Sequence, residues 1–215
     1  MEESTSKEKV LKNIRNALLS GTEVPFQGAD TDLPLFHSPD ESLDVVFAQA
    51  FKRAGGMFVY CENEKELVSS LMVILEDLHE QELFCQEKTI GEYLVKAGVS
   101  FCSDPQDLPA SKISITSCEA LVAHSGSIVI SSAQTGGRKV CIFPDAHIVV
   151  GFASQLTRDL QQALVYLRHK YEPDYPSLIS VITGPSRTAD IEKTLVMGAH
   201  GPRNLYLFYV DHADH

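Results

Sequence analysis

The stretch KISITSCEALVAHSGSIVISSAQTGGRKVCIFPDAHIVVGF, Lys112–Phe152, decides the fold. It holds the apolar runs KISITS, SGSIVISSA, RKVCIF and HIVVGF, broken by turn residues such as Gln134-Thr135-Gly136-Gly137. Each run has the length and β-branched content of a strand. No room is left between the last three for a long helix, and strands joined by short turns pair antiparallel. This part of the chain therefore predicts a locally antiparallel or mixed segment.

On both sides the pattern changes to alternating helices and strands. Upstream, Glu41 to Arg53 predicts a helix, Gly55-Gly56 ends it, and MFVYC (57–61) predicts a buried strand. Asn63 can cap the next helix, whose apolar stripe is Leu67, Leu71, Ile74, Leu75 and Leu78. A strand ELFCQ (82–86), a helix Ile90 to Ala97 and a strand GVSF (98–101) follow. Downstream, the chain reads as helix Leu156 to Tyr171, strand SLISVIT (177–183), helix Ala189 to Met197 and strand LYLFYV (205–210). This order implies a mostly parallel sheet covered by helices.

At the N-terminal side, Val10, Leu11, Ile14, Ala17 and Leu18 keep the helical period and Gly21 stops it. From Thr22 to Pro39 the apolar pattern vanishes among Gly and Pro residues, so this segment reads as a connector. The expected organisation is an N-terminal helix and connector over residues 1–39 and a single α/β domain over 40–215. The helix can pack on the domain's edge or on another subunit, which leaves a homo-oligomer open.

With 215 residues, 44% hydrophobic and 22% charged, the chain can bury a full core and carries no sign of disorder or fibrous repeats. A net charge of -11 opposes nonspecific nucleic-acid binding, which depends on Lys and Arg neutralising phosphates. The polar start MEESTSKEKV and the lack of any long apolar run predict neither a secretory signal nor a membrane span, hence a cytoplasmic protein. Five cysteines, at 61, 85, 102, 118 and 141, form no CxxC pair, and eight histidines form no HExxH, so no metal site is expected. Cys118, beside Glu119, is the one thiol that stands out.

Candidate chemistry concentrates after SLISVIT. Gly184-Pro185 turns the chain, and Ser186 or Thr188 can cap the following helix, with Asp190 and Glu192 in its first turn. SLISVIT reads as a parallel strand, so this loop lies at its carboxyl end, where open α/β sheets bind ligands. Gly184 permits close approach, while free N–H groups at the helix start, the Ser186 and Thr188 hydroxyls and Arg187 could hold an anion. Two acids two residues apart point about 200° from one another on a helix, so only one can face the site, and first-turn acids also arise from the helix dipole alone. His200-Gly201-Pro202 turns into the last strand, with His200 either an acid/base group or an exposed turn residue. Ser125-Gly126-Ser127 can present hydroxyls to a ligand or simply enter a strand. His147 reads as a ligand group or a core-edge histidine, and Arg138 as a carboxylate partner or a solvated hairpin residue.

The run GPSRTADIEKTLVMGAHGP (184–202) resembles the C-terminal signature of the LUD-domain proteins, in their lactate-utilization protein C branch. There a Gly-Pro-Ser-x-Thr-Ala-Asp-Ile-Glu segment runs into Gly-x-His-Gly-Pro. ALVAHSGSIVISS is similar to the family's Ala-Glu-Thr-Gly-Thr strand, RKVCIFPDAHIVV to its Arg, Pro and His-Ile positions, and KVLKNIRNAL to its opening helix. His124-Ser125 stands where Glu-Thr is expected, so a role carried by that Glu is lost or passed to another residue.

The resemblance implies a three-layer mixed-sheet fold like that of the sugar-phosphate isomerases and CoA-transferases. It implies a component of a lactate oxidation system whose iron–sulfur clusters and cysteine-rich motifs belong to partner subunits, with no cofactor in this chain. Asp190, Glu192 and His200 become the catalytic candidates. Gly184, Ser186, Arg187, Thr188, Gly201, His124, Ser125, Gly126, Arg138 and His147 become the ligand-binding ones. Two other functions remain: an autonomous enzyme acting on a phosphosugar or CoA ester, and a non-catalytic scaffold subunit docked through its N-terminal helix.

Overall fold

The computed structural model describes residues 6–19, 41–78, 83–134, 139–191, 194–198 and 200–212. The chain divides into two compact units, Met1–Ser38 and Pro39–His215. The first contains helix α1 (Ser6–Leu19), on which Val10 and Leu11 are exposed. The expected connector, Thr22 to Pro39, lies outside the described residues.

The second unit begins with α2 (Leu43–Arg53), β1 (Met57–Asn63), α3 (Glu64–Asp77), β2 (Leu83–Phe84), α4 (Lys88–Lys96) and β3 (Ile113–Ser117). It continues with β4 (Ala120–Val122), β5 (Ser127–Ser131), β6 (Ala146–Phe152), β7 (Leu156–Thr157) and α5 (Leu160–Tyr171). The last elements are β8 (Ile179–Ile182), β9 (Arg187–Ile191), β10 (Thr194–Met197) and β11 (Asn204–His212). Asn63 caps α3, its side chain accepting from the Lys65 and Glu66 N–H groups at 3.1 Å.

Two sheets share the interior. The larger is parallel, in the order β1-β11-β6-β3-β2, and the mixed character resides in a second sheet, β7-β4-β5-β8. Strands buried on both faces explain the nearly continuous apolar sequence of β6 and β11. One face of the parallel sheet packs Ile115, Ile148, Val150 and Phe208 against Leu67, Leu71 and Leu94 of α3 and α4. Its other face packs Val149, Leu205, Leu207 and Tyr209 against Phe47 and Phe51 of α2 and against Leu121, Ile128 and Ile130 of the second sheet. Helix α5 covers the remaining face of that sheet through Ala163 and Leu167.

Several sequence expectations are corrected. Ala189 to Met197 is no helix: β9 and β10 pair antiparallel, with Thr194 opposite Ile191 and Val196 opposite Thr188. Those four residues are β-branched, a class that loses side-chain freedom in a helix and fits a pleated strand. SLISVIT supplies β8, but it runs antiparallel to β5 in the second sheet rather than joining the parallel one. The described part of RKVCIF is a turn in which the Ile142 and Phe143 N–H groups donate to Lys139 O, and Pro144 next to it has no N–H for a ladder. In GVSF, Gly98 (φ +71°) and Val99 close the end of α4, leaving Cys102 just beyond to bridge Phe84. The helix expected from Leu156 starts at Leu160, because Leu156–Thr157 pairs with β4 and Asp159 caps the helix through the Gln162 N–H at 2.9 Å.

Candidate functional site

Two motifs distant in sequence meet at one wall. The Ser125 hydroxyl lies 2.7 Å from that of Ser127, which lies 2.7 Å from the Thr183 hydroxyl. Pairing of β5 with β8, with Ile128 opposite Ile182, places the HSGS turn beside the start of the Gly184-Pro185-Ser186 loop. Gly184 has φ +82°, and a Cβ there would intrude on the Ala54 carbonyl at the end of α2, so this glycine serves close packing. The Ser186 N–H donates to Pro202 O at 2.9 Å and the Gly198 N–H to Ser186 O at 3.0 Å. These bonds hold the His200-Gly201-Pro202 turn against the loop.

Together these segments enclose a cavity of about 280 Å³, whose walls are Ser180–Ser186, His200–Pro202, Leu205, Cys141, Ile142 and His147. Five residues singled out from the sequence thus line one space: Gly184, Ser186, His200, Gly201 and His147. It lies by the amino ends of β6 and β11, where His147 pairs with Leu205, and not at a carboxyl end of the parallel sheet as expected. Among the described residues, its lining contains no Lys or Arg. Two larger depressions, about 360 and 570 Å³, lie near Leu83 and Ser100 and hold none of the candidate residues.

The two histidines differ in kind. His200 is exposed. His147 is wholly buried, its Nε2 lies 2.9 Å from the Thr116 hydroxyl oxygen, and its Nδ1 has no hydrogen-bond partner among the described residues. Burial pushes the His147 pKa down to about 4, which keeps the ring neutral near neutral pH. Thr116 was not foreseen as part of the site. Its signal was the alternation Ile113-Ser114-Ile115-Thr116, which puts two hydroxyls on the face shared with His147.

Other candidates lie elsewhere. Arg187 donates to the Ala54 carbonyl and so closes the C-terminus of α2 instead of standing beside an anion. Gly126 (φ +60°) is buried against the backbone of Ala50 and Phe51. The His124 N–H donates to Arg158 O at 3.1 Å, and His124 is absent from the cavity lining. Because residues 187–191 are extended, no helix start offers free N–H groups to a ligand, and Thr188 and Asp190 sit in β9. The Thr188 and Asp190 side chains, and Glu192 and Arg138 altogether, lie outside the described residues.

A polar network that the sequence reading missed lies past the carboxyl ends of β2 and β3. Glu87 accepts from the Ser117 N–H at 3.0 Å and from the Ser117 hydroxyl; burial pushes its pKa up. Glu119 accepts from Lys170 Nζ at 2.7 Å, from the Tyr171 hydroxyl at 2.6 Å and from the Ser131 hydroxyl at 2.5 Å. Cys118 is buried between them and its thiol pKa is raised by desolvation, so it is an unreactive thiol. Burial also raises the Cys61 and Cys85 thiols to about 11. Among the described residues, no group of three or more His, Cys, Asp or Glu is placed to hold a metal ion, and no helix is long and apolar enough to cross a membrane.

Residues 105–210, from the end of α4's following loop to β11, match the LUD domain. The chain thus carries a LUD domain, and it is similar to relatives named lactate utilization protein C. The protein of that name from Bacillus licheniformis is 29% identical over 161 residues, covering 74% of this chain and 64% of the relative. Those from Geobacillus sp. strain WCH70 and Bacillus subtilis are each 37% identical over 94 residues, covering 43% of this chain and 39% of the relative. The matched part of the chain thus spans less than two thirds of these relatives. A solved DUF162 family protein from Deinococcus radiodurans shares the fold, with a TM-score of 0.60 at 18% identity over 78% of this chain and 96% of that one.

Proposed function

We propose that this chain is a cytoplasmic component of a lactate oxidation system and that it binds a small carboxylate, lactate or its product pyruvate, in the cavity between the 180–186 and 200–205 segments. The observation that carries the reading is the convergence of the family's motif residues on one small cavity floored by a buried histidine with an unsatisfied nitrogen. Relatives named lactate utilization protein C supply the pathway. A volume of about 280 Å³ is at the lower limit of ligand pockets, which suits a three-carbon acid and not a CoA ester. Among the described residues the lining holds no Lys or Arg, which favours a small carboxylate over a phosphosugar. Electron transfer then belongs to an iron–sulfur partner and a cysteine-rich partner, with no cofactor in this chain. Exposed Val10 and Leu11 on α1 offer one apolar contact for such a subunit.

The test is growth of a deletion strain on lactate, complemented with wild type, His200→Ala, Asp190→Ala or Glu192→Ala, each checked for expression and folding. Growth restored by wild type and lost with His200→Ala supports the reading. Normal growth of the uncomplemented deletion strain removes it. Full rescue by all three variants points instead to a scaffold role.

A further inference from the structure

We infer that Thr116 fixes His147 as an Nδ1–H donor to the cavity, which therefore takes a ligand presenting a carboxylate or keto oxygen at its floor. The inference rests on the cavity being the binding site proposed above. It follows from counting hydrogen bonds in a buried pair.

Thr116 and His147 are 1% and 0% exposed, and among the described residues the side chain of each hydrogen-bonds to the other alone. If the Thr116 O–H donates to Nε2, the hydroxyl proton and Nε2 are both satisfied, and Nδ1 must carry the ring proton. One group, Nδ1–H, is then left without a protein partner among the described residues, on a side chain that belongs to the cavity lining. If Nε2–H instead donates to the Thr116 oxygen, the hydroxyl proton has no acceptor among the described residues and Nδ1 is a second orphan. Each unmet buried polar group costs about 1–3 kcal/mol, so the arrangement leaving one orphan prevails.

The neutrality of the imidazole near neutral pH supports this two-tautomer description. A neutral ring with an Nδ1–H attracts an oxygen acceptor without a full countercharge, which fits a lining whose described residues include no Lys or Arg. Register supports the geometry as well. His147 is opposite Ser114 in the β3–β6 pair, so Thr116 is its diagonal neighbour on the same face. Ser114 is excluded as an alternative donor to Nε2 because its hydroxyl proton goes to Val140 O at 2.7 Å. Thr116 is thus a positioning residue, acting on the ligand through His147.

Long-range proton–nitrogen correlation NMR on the full chain, labelled at histidine nitrogen, reads the tautomer directly. The expected result is an Nδ1–H tautomer for His147 without added ligand, retained in Thr116→Ser and lost or mixed in Thr116→Val. Adding sodium pyruvate should shift the Nδ1–H signal, with binding weakened about tenfold in Thr116→Val, the scale of one hydrogen bond to a charged group. An Nε2–H tautomer in the wild type overturns the inference whatever binds. A saturable response to pyruvate that leaves His147 unmoved also overturns it, while the proposed ligand class survives. Acetate shifting the Nδ1–H signal where lactate and pyruvate do not keeps the inference and removes the lactate reading. No response to any of the three acids overturns both the acceptor at the floor and that reading.

Discussion

The Ser127 hydroxyl oxygen lies 2.7 Å from that of Thr183, joining the strand that follows the HSGS turn to the loop that begins the cavity wall. Ser127 is buried and also meets Ser125, so the contact is a link in a chain of three hydroxyls. Removing one partner should cost about 1 kcal/mol. A double-mutant cycle with Ser127→Ala and Thr183→Val, read by urea unfolding, should return a coupling energy near that size. Strict additivity would mean that the two motifs are neighbours without being linked.

Gly126→Ala should destabilise by about 3 kcal/mol or prevent folding. A Cβ at its φ of +60° would fall inside contact distance of the Ala50 and Phe51 backbone, which cannot give way as a side-chain tip can. Gly98→Ala is the control, since φ is +71° there and nothing lies within 4 Å of the added carbon. It should cost only about 1 kcal/mol. Comparing the two thermal midpoints separates backbone strain from collision.

Glu119→Gln should destabilise by about 2–3 kcal/mol, because it disrupts a fully buried carboxylate that three donors hold. Lys170 is 38% exposed and recovers part of its hydration, so Lys170→Met should be no milder, as it leaves the charge of Glu119 buried. Chemical denaturation of both variants checks the order. A milder Lys170→Met would show that Tyr171 and Ser131 suffice for the carboxylate.

His147 should make the chain sensitive to acid. Its folded pKa is about 4, against an ordinary 6.5. Above about pH 6.5 both folded and unfolded states are neutral at this residue. As pH falls from there towards 4, the unfolded chain takes up a proton that the folded chain refuses, and stability declines by up to about 3 kcal/mol over that window. Urea midpoints at pH 7 and pH 5 should therefore differ more in wild type than in His147→Gln. Equal slopes would mean that the ring is not buried neutral.

How much of this was legible beforehand depends on what kind of interaction fixed each element. The strands at 147–152 and 205–210 were readable because strands buried on both faces carry apolar runs, whereas 57–61, expected to be buried, is an edge strand with Met57 and Tyr60 exposed. A mixed segment between Lys112 and Phe152 was expected from short connections among its last three runs, but β5 and β6 lie in different sheets, and the antiparallel pair is instead β5 with β4, which was missed because only three residues form it. The hairpin of β9 and β10 was misread because Ser186 and Thr188 suit a helix cap as readily as a strand edge. What decided between them was pairing across the turn, a contact local propensity does not contain. Among the site residues, Gly184, Ser186, Gly201, His147 and His200 were named from motif and turn chemistry. Thr116 and Thr183 were not, since their importance comes from partners 31 and 56 positions away.

The position of β11 has a consequence for biosynthesis. It sits between β1 and β6, so the earliest strand of the parallel sheet meets no neighbour in that sheet until the latest one has been made. During translation, the groups later covered by β11 stay open while nearly all of the described chain emerges. The cavity shares this timing, because Leu205 and the His200-Gly201-Pro202 turn form part of its wall. A ribosome-bound intermediate ending before Asn204 would hold much of the core sequence yet neither a closed sheet nor a place for the ligand, so ligand capture would report that synthesis has passed that point.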